Sequence, residues 1–280
     1  MIIRIIRKLA RVCGLEPKPI NIKAEIKLTS PNRLLEGKRV IITGGTKGLG
    51  LAMAKKFKSE GALVLITGRD EKTAIQVAEK LDVFALPLNL NDLSSFETFV
   101  DKAEGILGGI DCLVNNAGMS LHEKTFFDVT PDTFCSQFRT NLEGPFFITR
   151  AVVMKMMMKN DSEPTKGNIL FISSETGFTA DIRPYGLTKA AINSFVEGLG
   201  YLLCKDGIRV NAIAPGVVAT DMTGFSPDEN LAYTHNSTGR LYLPEEMAEA
   251  ATFLISDASA TVSGQILTCN NARTINARWK

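Results

Sequence analysis

Tyr185-Gly-Leu-Thr-Lys189 sets a phenol four residues before an ammonium, and Ser174 lies eleven residues upstream of the tyrosine. Side chains four apart share one face of a helix. A cation beside a phenol favours the phenolate. Bringing a tyrosine from about 10 toward 7 takes about 4 kcal/mol, at ~1.4 kcal/mol per unit. A tyrosine poised in that way passes a proton to or from an oxygen at neutral pH. Next to a hydride carrier, this is the chemistry of alcohol–ketone interconversion. Alone the pair is a weak signal, because most such neighbours are solvated residues on ordinary helices.

A site for the hydride carrier is written earlier in the chain. Arg39–Thr43 is a short apolar run of the kind found in buried parallel strands. Gly44-Gly45-Thr46-Lys47-Gly48-Leu49-Gly50 follows directly, and a helical pattern continues through Phe57. Strand, glycine turn and helix bring backbone N–H groups and a helix N-terminus to a diphosphate. Gly44 suits the tight turn, Gly48 the approach of phosphates, and Gly50 close strand–helix packing. A ligand-free glycine turn is the competing reading.

The next unit speaks to which dinucleotide. Ala62–Thr67 reads as a second strand and ends in Gly68-Arg69-Asp70, where an acid would hold the ribose hydroxyl of NAD. Here Gly68 has no side chain, and Arg69 offers a guanidinium suited to a 2′-phosphate. Lys47 adds a second cation from the glycine turn. The pair favours NADP(H), with Asp70 as the feature against it and a solvated Arg69 as the plain alternative.

Thr43-Gly44-x-x-x-Gly48-x-Gly50, Asn115-Asn116-Ala117-Gly118, Ser174, Tyr185-x-x-x-Lys189 and Pro215-Gly216 stand in one order and spacing. Together they resemble the short-chain dehydrogenase/reductase superfamily, from about Glu36 to about Leu267. Ile208–Met222 and Gly239–Ala248 are most similar to the 3-oxoacyl-carrier-protein reductases. The resemblance implies Tyr185 as general acid in ketone reduction. It implies Lys189 as the residue that lowers the tyrosine's pKa and binds the nicotinamide ribose. Ser174 would bind the substrate oxygen, with Ser173 as the rival. Asn141 would complete a proton relay. Pro145 supports this independently, since it has no N–H for the carbonyl of Asn141, although a simple kink explains it equally.

The resemblance further assigns Thr43, Thr46, Lys47, Leu49, Asn89, Ala117, Gly118, Pro215 and Gly216 to the cofactor site. Asn116 would edge the adenosine pocket, and Val218 and Thr220 would face the nicotinamide amide. Asn89 replaces an aspartate usual in the family, and Asn270-Asn271-Ala272 replaces a usual Asp/Asn-Gly-Gly. Implied as well are a small carbonyl or alcohol substrate, a homo-oligomer (dimer or tetramer), and a lid over Thr223–Arg240 with Tyr233 and His235 as contacts.

These residues need a scaffold, and the pattern supplies one. Strands are expected near 39–43, 62–67, 83–88, 112–115, 168–172, 209–213 and 265–269. Helices are expected near 48–60, 71–81, 94–105, 131–158, 185–204 and 244–256. Repeated βα units give an α/β fold, a doubly wound parallel sheet of the Rossmann type with ligand at the C-terminal strand ends. The chain of 280 residues is 45% hydrophobic, and it has no apolar run near the ~18 residues that a membrane span requires. Five scattered cysteines suggest a reducing, cytoplasmic setting. Two histidines leave little for a metal site, nothing points to nucleic acid, and the Asn236-Ser237-Thr238 sequon reads as incidental. Met154–Met158 reads as core or interface filler.

The domain reading is an N-terminal extension over 1–36 and a catalytic domain over 37–280. The first forty residues carry ten Lys/Arg against three Glu. Met1–Cys13 forms a basic amphipathic helix on a helical wheel, suited to an anionic membrane surface, to docking on its own domain or a sister subunit, or to organelle targeting. Residues 20–28 alternate like a half-buried strand. The expected function is NADP(H)-dependent ketone–alcohol interconversion, with a 3-oxoacyl thioester as leading substrate class. The alternatives are a lipid, sugar or other small ketone at a membrane surface, and a catalytically silent NADP-sensing scaffold.

Overall fold

Unbroken apolar runs build the sheet. Val40–Ile42, Val64–Ile66 and Cys112–Val114 are buried at every position, as strands covered on both faces must be. The computed structural model describes residues 33–159, 165–225 and 230–275. Within them the strands are β1 (Arg39–Ile42), β2 (Leu63–Gly68), β3 (Phe84–Pro87), β4 (Cys112–Asn115), β5 (Gly167–Ile172), β6 (Ile208–Pro215) and β7 (Ile266–Cys269). All pair in parallel in the order β3-β2-β1-β4-β5-β6-β7. Helices α1 (Gly48–Ser59), α2 (Glu71–Leu81), α3 (Phe96–Leu107), α4 (Pro131–Phe138), α5 (Gly144–Met157), α6 (Pro184–Leu203) and α7 (Pro244–Ile255) connect them. This is the doubly wound α/β sheet that the pattern of elements anticipates.

The winding reverses between β1 and β4. Connections leave these neighbours in opposite directions, which opens a crevice at their C-terminal ends. On one face α1 buries Gly50, Met53, Ala54 and Phe57, a helical i, i+3, i+4, i+7 stripe, against the sheet and α7. Burying a side chain such as Phe57 in full stabilises the fold by about 1.5–3 kcal/mol. On the other face α3, α5 and α6 pack around Phe99, Ile148, Phe171 and Val196. The crevice thus lies between two rigid helical layers.

Two expectations change. The helix expected over 131–158 is broken into α4, a five-residue π turn at Arg139–Glu143, and α5. The cause is local: Pro145 cannot donate to Asn141, and the Gly144 N–H reaches back to the Arg139 carbonyl instead. The boundary at residue 36 also shifts, because Leu35 is fully buried in the core and its N–H donates to the Glu60 carbonyl at 3.1 Å. The helix expected over residues 1–13 and the alternating segment 20–28 lie outside the described residues. Among the described residues no helix is long and apolar enough to cross a membrane.

The methionine cluster divides: Met156 is core, while Met154, Met157 and Met158 are exposed. The sequon residue Asn236 is buried, and its amide donates to the Arg240 carbonyl at 2.7 Å. A glycan at that nitrogen is incompatible with this packing.

Candidate active site

The turn after β1 is shaped by two left-handed glycines, Gly44 at φ 65° and Gly48 at φ 55°. Lys47 is the N-cap of α1 and provides no side-chain cap, so the first N–H groups of α1 face the cleft without an internal acceptor. That is a cradle for an anion. A Cβ at Gly50 would overlap the Gly44 carbonyl, so this glycine is a packing requirement.

Gly44, Thr46, Lys47, Gly48 and Leu49 line the cleft, but Thr43 and Gly50 stand behind it. Thr43 is buried; its hydroxyl donates to the Val114 carbonyl at 3.3 Å and accepts the N–H groups of Asn116 and Ala117. It staples β1 to β4 and touches no ligand space. Asn116 is likewise spent inward: its amide donates to the carbonyls of Thr43 and Gly44, both at 2.9 Å. Only the remaining surface of Asn116, with Ala117 and Gly118, forms the cleft wall.

At the end of β2, Arg69 lines the cleft and is exposed, and it makes no ion pair among the described residues. Asp70 has another task, since it caps α2 by accepting the Thr73 N–H at 2.8 Å. Lys47 is not a free cation: it pairs with Asp221 at 3.1 Å, both side chains being well exposed. Asn89 lines the wall beyond β3, and its Oδ1 accepts the Asn91 N–H. Pro215, Gly216, Val218 and Thr220 close the opposite side.

Ser174, Tyr185 and Lys189 converge on this same cleft. Ser174 leaves β5 in an extended conformation, and its hydroxyl accepts from the Thr176 hydroxyl at 3.0 Å. Ser173 also borders the cleft, but its hydroxyl is tied to Asn193 at 2.5 Å. Pro184 begins α6, which puts Tyr185 in the first turn and Lys189 one turn deeper. The Lys189 Nζ lies 5.5 Å from the centre of the Tyr185 ring and donates to the Ile172 carbonyl at 2.7 Å.

Burial holds the Lys189 ammonium down at about 8. Burial also raises the Tyr185 phenol, opposed by the Ser174 hydroxyl and the charge of Arg183. The lowering expected from Lys189 is therefore not what the fold produces. The ammonium is directed at a carbonyl, and desolvation of the phenol outweighs its neighbours.

Asn141 does not line the cleft. It is buried in the π turn, where its Oδ1 accepts the Met119 N–H and its Nδ2 donates to the Met119 carbonyl, both at 2.8 Å. The same Nδ2 reaches the Thr188 hydroxyl, which in turn donates to the Tyr185 carbonyl at 2.7 Å. Asn141 thus clamps the loop after β4 to α6. Met119, Thr140, Asp221 and Met222 line the cleft without having been anticipated. For Met119, Asp221 and Met222 only their position in loops after strand ends could have signalled them, and Thr140 comes from the π turn. Tyr233 and His235 do not reach the cleft; their rings pack on each other 5.3 Å apart.

The arrangement can hold a dinucleotide along its glycine turn and exchange a proton at its far end. A sequence family described as enoyl-(acyl carrier protein) reductase matches residues 44–271. The 3-oxoacyl-[acyl-carrier-protein] reductase of Aquifex aeolicus is 34% identical over 84% of this chain and 97% of its own. The L-rhamnose 1-dehydrogenase (NADP(+)) of Thermoplasma acidophilum is 34% identical over 86% of this chain and 98% of its own. The crystal structure of 3-ketoacyl-(acyl-carrier-protein) reductase from Brucella melitensis, complexed with NADH, superposes with a TM-score of 0.79. It is 30% identical and covers 86% of this chain and all of that one.

Proposed function

This chain belongs to the short-chain dehydrogenase/reductase family, and on that premise we propose that it is an NADP(H)-dependent reductase of 3-oxoacyl thioesters or similar apolar ketones. Oxidoreduction between a carbonyl and an alcohol with a nicotinamide cofactor is the family's activity. The finer reading rests on one observation: Ser174, Tyr185 and Lys189 share a cleft with a helix N-terminus that lacks a side-chain cap and with Arg69, which has no ion-pair partner among the described residues.

The two left-handed glycines and the open N–H groups of α1 fit a diphosphate, and Arg69 fits a 2′-phosphate. A nicotinamide cofactor held there would supply hydride chemistry at the carbonyl carbon. Tyr185 gives its proton to the carbonyl oxygen, and Ser174 donates a hydrogen bond to that oxygen as its charge grows. Lys189 holds the helix that bears Tyr185 against the strand that bears Ser174, through its bond to the Ile172 carbonyl. Asn141 keeps Met119 and α6 in register, so it positions the site.

Acyl substrates are favoured over sugars by the loops at the C-terminal ends of β4, β5 and β6. Phe126, Phe127, Phe178, Ile182 and Met222 on these loops are all at least two-fifths exposed, and Met222 with Met119 lines the cleft itself, apolar surface that offers a polyol few partners. The test is a panel of 3-oxoacyl thioesters, simple ketones and sugars, scored for NADPH consumption by the wild type and by Tyr185→Phe. Turnover of acyl thioesters that Tyr185→Phe abolishes is the expected result. Turnover of sugars alone removes the substrate reading, and cofactor binding with no turnover of any carbonyl returns the scaffold alternative.

A further inference from the structure

The turn that carries Ser174 continues into a carboxylate that the proposed chemistry does not use. Glu175 is 7% exposed. Both its oxygens are engaged from the far end of the chain: Oε1 accepts from Arg273 and Oε2 from the Asn270 amide at 3.1 Å. Arg273 also reaches Oδ1 of Asn236 at 3.4 Å, and the Ser237 hydroxyl donates to the Asn271 carbonyl at 2.9 Å. Three separate loops therefore meet beside the serine.

The backbone that delivers Arg273 is strained. Asn271 and Ala272 are both left-handed, at φ 48° and 66°. L side chains avoid that region, and two in succession persist only where surrounding contacts overdetermine them. Glu175 is not needed to close its own turn, since the Gly177 N–H donates to the Ser174 carbonyl at 3.0 Å. A carboxylate this deep is tolerated only when paired.

We infer that Arg273 is a positioning residue of the proton-transfer site, the counter-ion that cancels the charge of Glu175 beside Tyr185 and fastens the Ser174 turn to the C-terminal turn and residues 236–237. The inference rests on the reading of Tyr185 as the proton donor. Among the described residues, the charged groups around Tyr185 are Lys189, whose Nζ is 5.5 Å from the ring, Arg183 at the N-cap of the same helix, and Glu175, which follows Ser174 in the turn packed against that helix. Asp181 pairs with Arg183 at 2.6 Å, and Glu123 also acts on that guanidinium. Of these, Glu175 is the buried carboxylate next to Ser174, and among the described residues Arg273 is the cation paired with it.

The test titrates Tyr185 itself, by NMR of isotope-labelled tyrosine ring carbons in the full chain. There are four tyrosines, and the resonance lost in Tyr185→Phe identifies the one of interest. Arg273→Gln leaves the carboxylate uncompensated and should move the titration up by about 0.5–1 pH unit. Arg273→Lys should restore it. Glu175→Gln should move it down by a similar amount, and the double variant should return it close to wild type.

Opposite shifts of this kind cannot come from loosened packing alone. An unmoved titration in either folded single variant, or both moving in one direction, overturns the inference. If Arg273→Gln does not fold, the near-isosteric Glu175→Gln decides by itself, because its downward shift is required. The titration needs neither substrate nor cofactor, so a failed ketone screen with the opposite shifts intact removes only the proposed substrate.

Discussion

The Lys189 Nζ donates at 2.7 Å to the carbonyl of Ile172, the last residue of β5, two positions before Ser174. One bond therefore joins the helix that bears Tyr185 to the strand that bears Ser174. It also fixes an ammonium in a place where burial lowers its pKa to about 8.

That burial has a measurable cost. Below pH 8 both folded and unfolded chains hold the proton on Lys189, and the penalty of about 3 kcal/mol is present in full. Between about 8 and 10.5 the unfolded chain binds more protons than the folded one, so this group makes stability rise with pH. Denaturant unfolding of wild type and Lys189→Met at pH 7 and 10 should show the difference between them shifting toward the wild type at the higher pH. A pH-independent difference would remove the assignment.

Tyr185→Phe deletes the hydroxyl and little else. Ketone-dependent turnover should fall by about 10²–10⁴-fold, while NADPH affinity stays within about twofold, because the ring still packs. Stopped-flow turnover and fluorescence titration of the cofactor measure the two separately.

Arg69→Ala should weaken NADPH by about 10–100-fold, the size of a lost hydrogen-bonded charge pair, and leave NADH within about twofold. Asp70→Ala should act differently. It removes a helix cap, so it should lower stability by about 1 kcal/mol without changing the preference for phosphate. Equal effects of Arg69→Ala on both cofactors would discard the 2′-phosphate argument.

At the opposite end of the sheet, Asp111 joins the starts of β1 and β4. Burial would raise its carboxyl, but bonds from the Arg39 guanidinium at 2.6 Å and from Lys159 at 2.7 Å hold it well below the usual range. A depressed carboxylate stabilises the fold above about pH 4 and loses that contribution as the pH falls. Asp111→Asn should cost about 1–2 kcal/mol at pH 7, between an exposed and a fully buried pair, since Asp111 and its partners are part-buried. Its unfolding curve should converge on the wild type in acid.

Much of the site was legible because local spacing carries it. Strand, glycine turn and helix follow one another within twenty residues, and Tyr185 and Lys189 sit one turn apart on a single helix. The illegible parts depend on contacts that sequence separation hides. Thr43 lies within the glycine motif yet faces β4, because the next strand along supplies its hydrogen-bond partners. Asp70 stands where a ribose contact would be, but the helix that begins there claims its side chain. Lys47 meets Asp221 across the cleft, which no pattern in either segment announces.

Residue types and their spacing alone determined the fold class, the order of the strands' glycine and asparagine ends, and the trio that shares the cleft. Only the folded chain decided how those groups are charged. Protonation depends on desolvation and on which carbonyl or ion is brought within reach. Ile172 is seventeen residues from Lys189, and Arg273 is ninety-eight from Glu175. Such distances along the chain close only when the sheet assembles, so the electrostatics of Tyr185 are a property of the tertiary structure.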